Sequence, residues 1–290
     1  LLWDFEKRDW SPELLAMFGI PRSVLPSSVP NRHEFGHLQL GSHAVPLVVS
    51  TGDQAAALFA RGRPGADTAA INLGTGAFVQ RVQGERPTVQ SRLLHSVAWD
   101  DGHERLFSLE GSVNGCGAAL DSVGRKLGFD VAASHEHAAH WLTGETPLLF
   151  LNGVSGLGSP YWLADFPTQF IGSGTVEQKM QAVLESVLFL LQVNLEEMER
   201  QLGRPRRLQV SGGLATVRPL CQRLADLSGL EVERSEQPEA TALGLAFLLA
   251  GQPSVWSPSM SFEGFLPRAN DRLLSRYRRW RRELDIRCRS

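Results

Sequence analysis

The chain has no excess of charge, no cysteine framework and no long apolar segment. Its 290 residues carry a formal net charge of -2, so no strong field of either sign favours nucleic acid as a partner. The three cysteines, Cys116, Cys221 and Cys288, are far apart in the sequence, which predicts reduced thiols and a cytoplasmic location rather than disulfide bonds or metal ligands. No run of about 18 apolar residues occurs, so no membrane span is predicted.

The order of the apolar segments predicts an α/β fold. Strands alternate with helices from Leu148 onward, which indicates a layered domain with a largely parallel sheet. Two apolar runs around Gly74–Gly76 add a hairpin, so we expect a mixed sheet with helices on both faces. Apolar residues at helical spacing predict a long amphipathic helix over Glu177–Leu202.

Three further segments lead to structural expectations. The apolar run Val45–Thr51 predicts a strand that is buried on both faces, followed by a helix from about Asp53 to Ala60. The run EATALGLAFLLAG (residues 239–251) is apolar nearly all round, which predicts a buried helix. The run RYRRWRRELDIR (residues 276–287) predicts an amphipathic helix with a solvated basic face.

A single carboxylate stands where the predicted strand Val45–Thr51 gives way to a helix. As a helix cap, Asp53 would only bond the backbone amides of Ala55 or Ala56. As a functional group, it would point into the crevice at the carboxyl end of the strand, where ligands bind in α/β sheets. There it could accept a proton from an attacking hydroxyl. The segment by itself leaves both interpretations open.

Two glycine turns allow a similar pair of interpretations. Gly74, Thr75 and Gly76 form either a hairpin turn that needs glycine or a phosphate contact made by backbone N–H groups and the Thr75 hydroxyl. Gly212 and Gly213 follow a predicted strand. They serve either the turn into the next helix or an adenine ring that slides against bare backbone. Neither turn is specific by itself.

Six segments, taken together in their order and spacing, resemble the second half of the FGGY family of carbohydrate kinases. The segments are STGDQAAALFA, NLGTGAF, SLEGSVNGCGAAL, SGLGSPYW, VSGGLATVRPLCQRLADLSGLEV and EATALGLAFLLAG. The resemblance covers nearly the whole chain, from about Leu1 to Trp280. It implies a ribonuclease H-like, actin-like ATPase architecture, in which two domains close over ATP and a polyol or sugar such as glycerol.

The resemblance also implies roles for the residues at matching positions. Asp53 is the implied catalytic base, and Gln54 and Phe78 are implied substrate contacts. The implied nucleotide contacts are Gly74, Thr75, Gly76, Gly117, Asp121, Gly212, Gly213 and Val217. Of these, Asp121 and Val217 stand where related kinases carry Gln and Asn. ATP and Mg²⁺ are the implied cofactors, and no metal ligand is assigned in this chain.

The Gly/Pro-rich segment at residues 61–67 suggests a domain boundary. By the resemblance, residues 1–64 are the C-terminal end of the first kinase domain, and residues 65–290 are the second, nucleotide-binding domain. The chain begins with Leu1 rather than Met, as expected of a segment that starts part-way along a longer protein. We therefore expect the 290 residues alone to self-associate and to lack kinase activity. The alternative is a non-catalytic actin-like nucleotide-binding module, and a homodimer is left open.

Overall fold

A mixed β-sheet forms the centre of the fold. The structure is a computed structural model that describes residues 2–85, 92–128, 137–142, 144–235, 239–257 and 261–289. In chain order the strands are β1 (Trp3–Asp4), β2 (Asp9–Trp10), β3 (His37–Leu40), β4 (His43–Pro46), β5 (Thr68–Leu73), β6 (Ala77–Gly84), β7 (Leu94–Asp100), β8 (Arg105–Val113), β9 (Leu149–Leu151), β10 (Gln169–Ile171), β11 (Arg207–Ser211), β12 (Glu231–Ser235) and β13 (Phe262–Phe265). The central sheet has the order β13-β12-β11-β5-β6-β8-β7.

The central sheet combines parallel and antiparallel pairs, as predicted, but it is not largely parallel, because four of its six strand pairs are antiparallel. Strands β5, β11 and β12 are parallel, whereas β6, β8 and β7 follow β5 as antiparallel neighbours. Ser211, the last residue of β11, lies opposite Asn72 near the end of β5. The carboxyl ends of these two parallel strands therefore meet at one edge of the sheet.

The long helix predicted from apolar periodicity is present. In chain order the α-helices with assigned bounds are α1 (Pro12–Phe18), α2 (Asp53–Ala57), α3 (Gly117–Lys126), α4 (Val176–Leu202), α5 (Arg218–Ser228), α6 (Ala240–Leu249) and α7 (Asp271–Arg289). Helix α4 begins at a capping box, in which Thr175 and Gln178 each satisfy the backbone amide of the other. It packs against β6, β8 and β9.

Two hydrophobic cores lie on opposite faces of the sheet. Val79 of β6 belongs to the large core, which includes residues of α3, α4, α5 and α7. Val82, three residues later on the same strand, belongs to a smaller core with Phe59 and Phe247. Because side chains alternate along a strand, an odd spacing places the two valines on opposite faces. The prediction of helices on both faces is confirmed, with α6 and the chain after α2 on the second face.

The prediction of a buried strand at Val45–Thr51 is wrong. Strand β4 ends at Pro46 and pairs with β3 in a sheet that has two strands within the described residues. Both strands are exposed along their length, and the Leu47 side chain is 43% exposed. An apolar run is buried only where other elements cover it, and no described element covers this hairpin. The helix that follows also ends early, at Ala57 rather than Ala60.

Two predictions about helices are only partly correct. Helix α6 was predicted to be buried, and the basic face of α7 was predicted to be solvated. Helix α6 buries Gly244, Phe247 and Leu248, while its opposite side is exposed because α6 lies at the surface of the described chain. Helix α7 buries the expected apolar residues Leu273, Tyr277, Trp280 and Leu284. On its basic side, however, the Nε of Arg276 donates to the fully buried Glu185 of α4 at 2.9 Å.

Candidate active site

The glycine turn between β5 and β6 is held by the first turn of helix α3. Within the turn, the Gly74 amide donates to the Gly76 carbonyl at 2.9 Å. The Gly117 amide donates to the Gly74 carbonyl at 3.0 Å, and the amides of Cys116 and Ala118 donate to the Thr75 carbonyl at 3.1 and 3.0 Å. The carbonyl groups of Gly74 and Thr75 therefore face the start of α3, and the Thr75 side chain is exposed.

Gly117 lies where the helix must approach the turn closely. A Cβ at this position would lie 3.0 Å from the Gly74 carbonyl oxygen and 3.5 Å from the Thr75 Cα. A glycine therefore fits this contact better than any residue with a side chain. The structure thus brings the predicted residues Gly117 and Gly74–Gly76 together.

The second glycine turn packs directly against the end of β5. Gly212 has a φ of +94°, and a Cβ there would lie 2.6 Å from the Leu73 carbonyl oxygen. Its neighbour Gly213 differs on both counts, because no atom lies within 4 Å of its Cβ position and its φ is outside the left-handed region. Gly212 is therefore required for packing, whereas Gly213 borders open space beside the first turn.

Asp53 occupies the first position of α2 and is exposed. The N-cap of this helix is Gly52, whose carbonyl accepts a hydrogen bond from the Ala56 amide at 2.9 Å. The Oδ1 of Asp53 accepts a hydrogen bond from the Gln54 amide at 2.7 Å, rather than from Ala55 or Ala56 as the cap interpretation required. The carboxylate thus lies in the first turn without being the N-cap.

A cavity of about 60 Å³ connects α2 with the ends of the parallel strands. Its lining includes Gln54 of α2, Asn72 of β5 and Ser211 of β11. The Asn72 Nδ2 donates to the Ser211 Oγ at 3.4 Å across the two strands. Gln54 of α2 therefore shares this cavity with Asn72 and Ser211, each of which lies within two residues of a glycine turn, whereas Asp53 is not among the lining residues. Sequence analysis assigned no site role to Asn72 or Ser211, although each is a polar residue at or next to the end of an apolar strand.

The remaining predicted site residues lie around these turns in different settings. Phe78 is 40% exposed on β6, and its Cε2 lies 3.8 Å from the Cβ position of Gly76. Asp121 is half-buried on α3, one helical turn beyond Gly117. Val217 is only 6% exposed and belongs to the large core, so a ligand could reach only its backbone.

The chemistry of the other polar groups near the turns is limited. Burial raises the pKa of the Cys116 thiol, at the start of α3, to about 12, so this cysteine stays protonated at neutral pH and is a poor nucleophile. Among the described residues, no three or more His, Cys, Asp or Glu side chains are grouped suitably for a metal ion. No helix in the described part of the chain is long and apolar enough to cross a membrane.

Comparison with known families gives a match over most of the central region. Residues 69–251 match the C-terminal domain of the FGGY family of carbohydrate kinases. The chain belongs to this family. The match begins in β5 and ends just after α6, so it includes both glycine turns of the candidate site.

Curated relatives extend the similarity beyond that domain. The chain is 31% identical over 269 residues to the glycerol kinase of Aquifex aeolicus, which covers 90% of this chain and 55% of the relative. It is 34% identical over 256 residues to the glycerol kinase of Geobacter sp. (strain M21), covering 86% of this chain and 52% of the relative. The chain thus spans about half the length of the curated relatives it matches.

Solved structures of other kinases share the fold. Plasmodium falciparum glycerol kinase with ADP has a TM-score of 0.81 at 21% identity, and the alignment covers 99% of this chain and 61% of that one. Xylulose kinase from Lactobacillus acidophilus has a TM-score of 0.77 at 16% identity, with the same coverage. At this level of identity the similarity establishes the fold. The expected ribonuclease H-like, actin-like ATPase architecture is confirmed.

Proposed function

We propose that the protein containing this chain transfers the γ-phosphoryl group of ATP to a hydroxyl group of a polyol or sugar, glycerol or a related carbohydrate. The products are the phosphate ester and ADP. The observation that carries the proposal is one shared cavity. Gln54 of α2 lines it together with Asn72 and Ser211, the strand residues that lead into the two glycine turns. Family membership supplies the reaction class.

In this proposal Asp53 is the general base. Phosphoryl transfer needs positioning and charge stabilisation more than covalent catalysis, so one exposed carboxylate, that of Asp53, can serve as the base. Asp53 takes the proton of the attacking substrate hydroxyl. The hydroxyl oxygen forms a bond to the γ-phosphorus, the bond from that phosphorus to the bridging oxygen of ADP breaks, and ADP leaves. Gln54 hydrogen-bonds the substrate, and the exposed ring of Phe78 packs on its carbon chain.

The described residues fit a nucleotide. Gly213 leaves the Cβ position open, so a flat base can lie against the backbone of the turn. The Gly74–Gly76 turn offers the hydroxyl of its exposed residue Thr75 to the phosphates, and Gly117 keeps α3 close behind the turn. Contacts from Asp121 and the Val217 backbone complete the proposed nucleotide side. The described residues include no group of three or more His, Cys, Asp or Glu side chains that could bind Mg²⁺, so no residue is proposed as its ligand.

Residues 1–64 and 65–290 belong to different domains in this proposal. The first range is the end of a first kinase domain, and the second is the nucleotide-binding domain. The exposed hairpin of β3 and β4 and the exposed side of α6 support this division, since both are apolar surfaces that a further domain could cover. A cytoplasmic location agrees with the free cysteines, two of which are buried.

A substrate panel tests the proposed reaction. The protein in its full natural length is supplied with ATP and with glycerol, xylulose or gluconate in turn, and ADP release is followed. We expect one of these compounds to stimulate ADP release at least about tenfold, with its phosphate ester as the second product. Tight ATP binding without stimulation by any polyol or sugar would favour a non-catalytic nucleotide-binding module instead.

A further inference from the structure

Helix α2 carries the proposed base but is too short to hold its own position. It has five residues, Asp53–Ala57, and one exposed end. Isolated helices below about 12 residues are marginal because nucleation is costly. The position of the Asp53 carboxylate must therefore be set by whatever packs on α2. Helix α6 makes the most extensive packing with α2 of any element in the described chain.

One face of α6 contacts α2 and the chain that follows it at three successive levels. At the first level, the Oγ1 of Thr241 donates to the Asp53 carbonyl at 3.3 Å. At the third, the Phe247 ring stacks on the Phe59 ring with centroids 6.2 Å apart. The spacing of three residues between levels keeps Thr241, Gly244 and Phe247 on the same side of α6.

The middle level is a contact between two backbones. A Cβ at Gly244 would lie 1.7 Å from the Ala56 carbonyl oxygen and 3.2 Å from the Ala60 amide nitrogen. Real Cβ contacts essentially never fall under 3.0 Å, so an alanine there would push α2 away by about 1.3 Å, the difference between 3.0 and 1.7 Å. Ala56 is one helical turn from Asp53, so a displacement at Ala56 moves the carboxylate as well.

We propose that Thr241 and Gly244 are positioning residues that fix the Asp53 carboxylate for phosphoryl transfer. Both act through the backbone of α2, Thr241 at the Asp53 carbonyl and Gly244 at the Ala56 carbonyl. Gly244 sets how closely α2 approaches, and Thr241 sets where its first turn lies. This inference rests on the proposed function, because it requires Asp53 to be the base.

The test compares kcat with nucleotide affinity in the full-length protein. A misplacement of about 1 Å can cost about 10²-fold in rate. We expect Gly244→Ala to lower kcat by about that factor, while the Kd for ATP stays within about twofold because Gly213 lies on another element. Ala246→Ser adds one heavy atom to the exposed side of the same helix and is the matched control. It should leave kcat unchanged, and an equal loss in the control would overturn the proposal.

A second pair of variants covers the case in which Gly244→Ala does not fold. Thr241→Val removes the hydroxyl while keeping the shape, and Thr241→Ser keeps the hydroxyl. One hydrogen bond of ordinary strength corresponds to about fivefold in rate. We expect Thr241→Val to lose about fivefold in kcat and Thr241→Ser to recover it, with the thermal midpoint similar in both. Wild-type kcat in Thr241→Val, or in a folded Gly244→Ala, would overturn the proposal.

The positioning role and the assignment of Asp53 as the base can be refuted separately. If Asp53→Asn is inactive while a folded Gly244→Ala and Thr241→Val have wild-type kcat, only the positioning role falls. If Asp53→Asn itself keeps substantial turnover, the assignment of the base falls and the positioning role falls with it.

Discussion

Gly212 and Gly213 are neighbours, yet a side chain added to each should have opposite effects. At Gly212, an alanine Cβ would lie 2.6 Å from the Leu73 carbonyl oxygen, against an ordinary contact distance of 3.4 Å or more. Its φ of +94° adds strain of about 1–3 kcal/mol for an L-residue. Overpacking adds about 1–3 kcal/mol more. Gly212→Ala should therefore lower the free energy of unfolding by about 2–6 kcal/mol.

At Gly213 the structure predicts little effect on stability. No atom lies within 4 Å of the Cβ position, and the backbone is outside the left-handed region. The free energy of unfolding of Gly213→Val should stay within about 0.5 kcal/mol of wild type. The valine would instead fill the space proposed for the adenine ring. ATP affinity should fall at least about tenfold, which corresponds to about 1.4 kcal/mol.

Urea unfolding and calorimetric titration with ATP measure the two effects on the same samples. We expect the free energy of unfolding to fall only in Gly212→Ala. We expect ATP affinity to fall in Gly213→Val while that variant remains fully folded. Unchanged ATP affinity in Gly213→Val would mean that the turn is structural only. Wild-type stability in Gly212→Ala would refute the close contact between Gly212 and Leu73 from which the predicted stability loss is derived.

Three further predictions concern stability, reactivity and assembly. Glu185→Ala removes the buried carboxylate that Arg223 and Arg276 share, so the free energy of unfolding should fall by about 3–5 kcal/mol in a urea titration; a loss below about 1 kcal/mol would contradict this. Iodoacetamide at pH 8, read by mass spectrometry, should modify Cys288 before Cys116: burial raises the pKa of both thiols, but Cys288 is partly exposed, whereas Cys116 is buried with its pKa raised to about 12; the reverse order would be inconsistent with the structure. The 290-residue chain alone should self-associate in sizing chromatography and show no kinase activity; an active, monodisperse monomer would refute this.

Features that depend on neighbouring residues in the sequence could be predicted from the sequence alone. The apolar periodicity of α4 and the glycine turn between β5 and β6 are of this kind. The apolar residues of Val45–Thr51 led to the wrong prediction of a buried strand. Apolar side chains show that a segment can be buried, but not whether another element covers it. Apolar residues lie on all sides of α6, so the sequence does not indicate which side of this helix packs on α2.

The candidate site shows the same division. The resemblance located Asp53 and the glycine turns by order and spacing. It did not distinguish Gly212, which packs on Leu73, from Gly213, which faces open space, because that difference depends on a strand about 140 residues away in sequence. Asn72 and Gly244 were missed for the same reason, since their contacts exist only after β11 and α2 have packed.

The central claim is that Asp53 is the base of a kinase, and one variant tests it most directly. Asp53→Asn keeps the size of the side chain but removes its ability to take a proton. General-base assistance is worth about 10²–10⁴-fold in rate. In the full-length protein we expect kcat to fall by at least about 10²-fold while calorimetry shows ATP bound with wild-type affinity. Turnover within about fivefold of wild type would contradict the account and leave Asp53 as a residue that only shapes the start of α2.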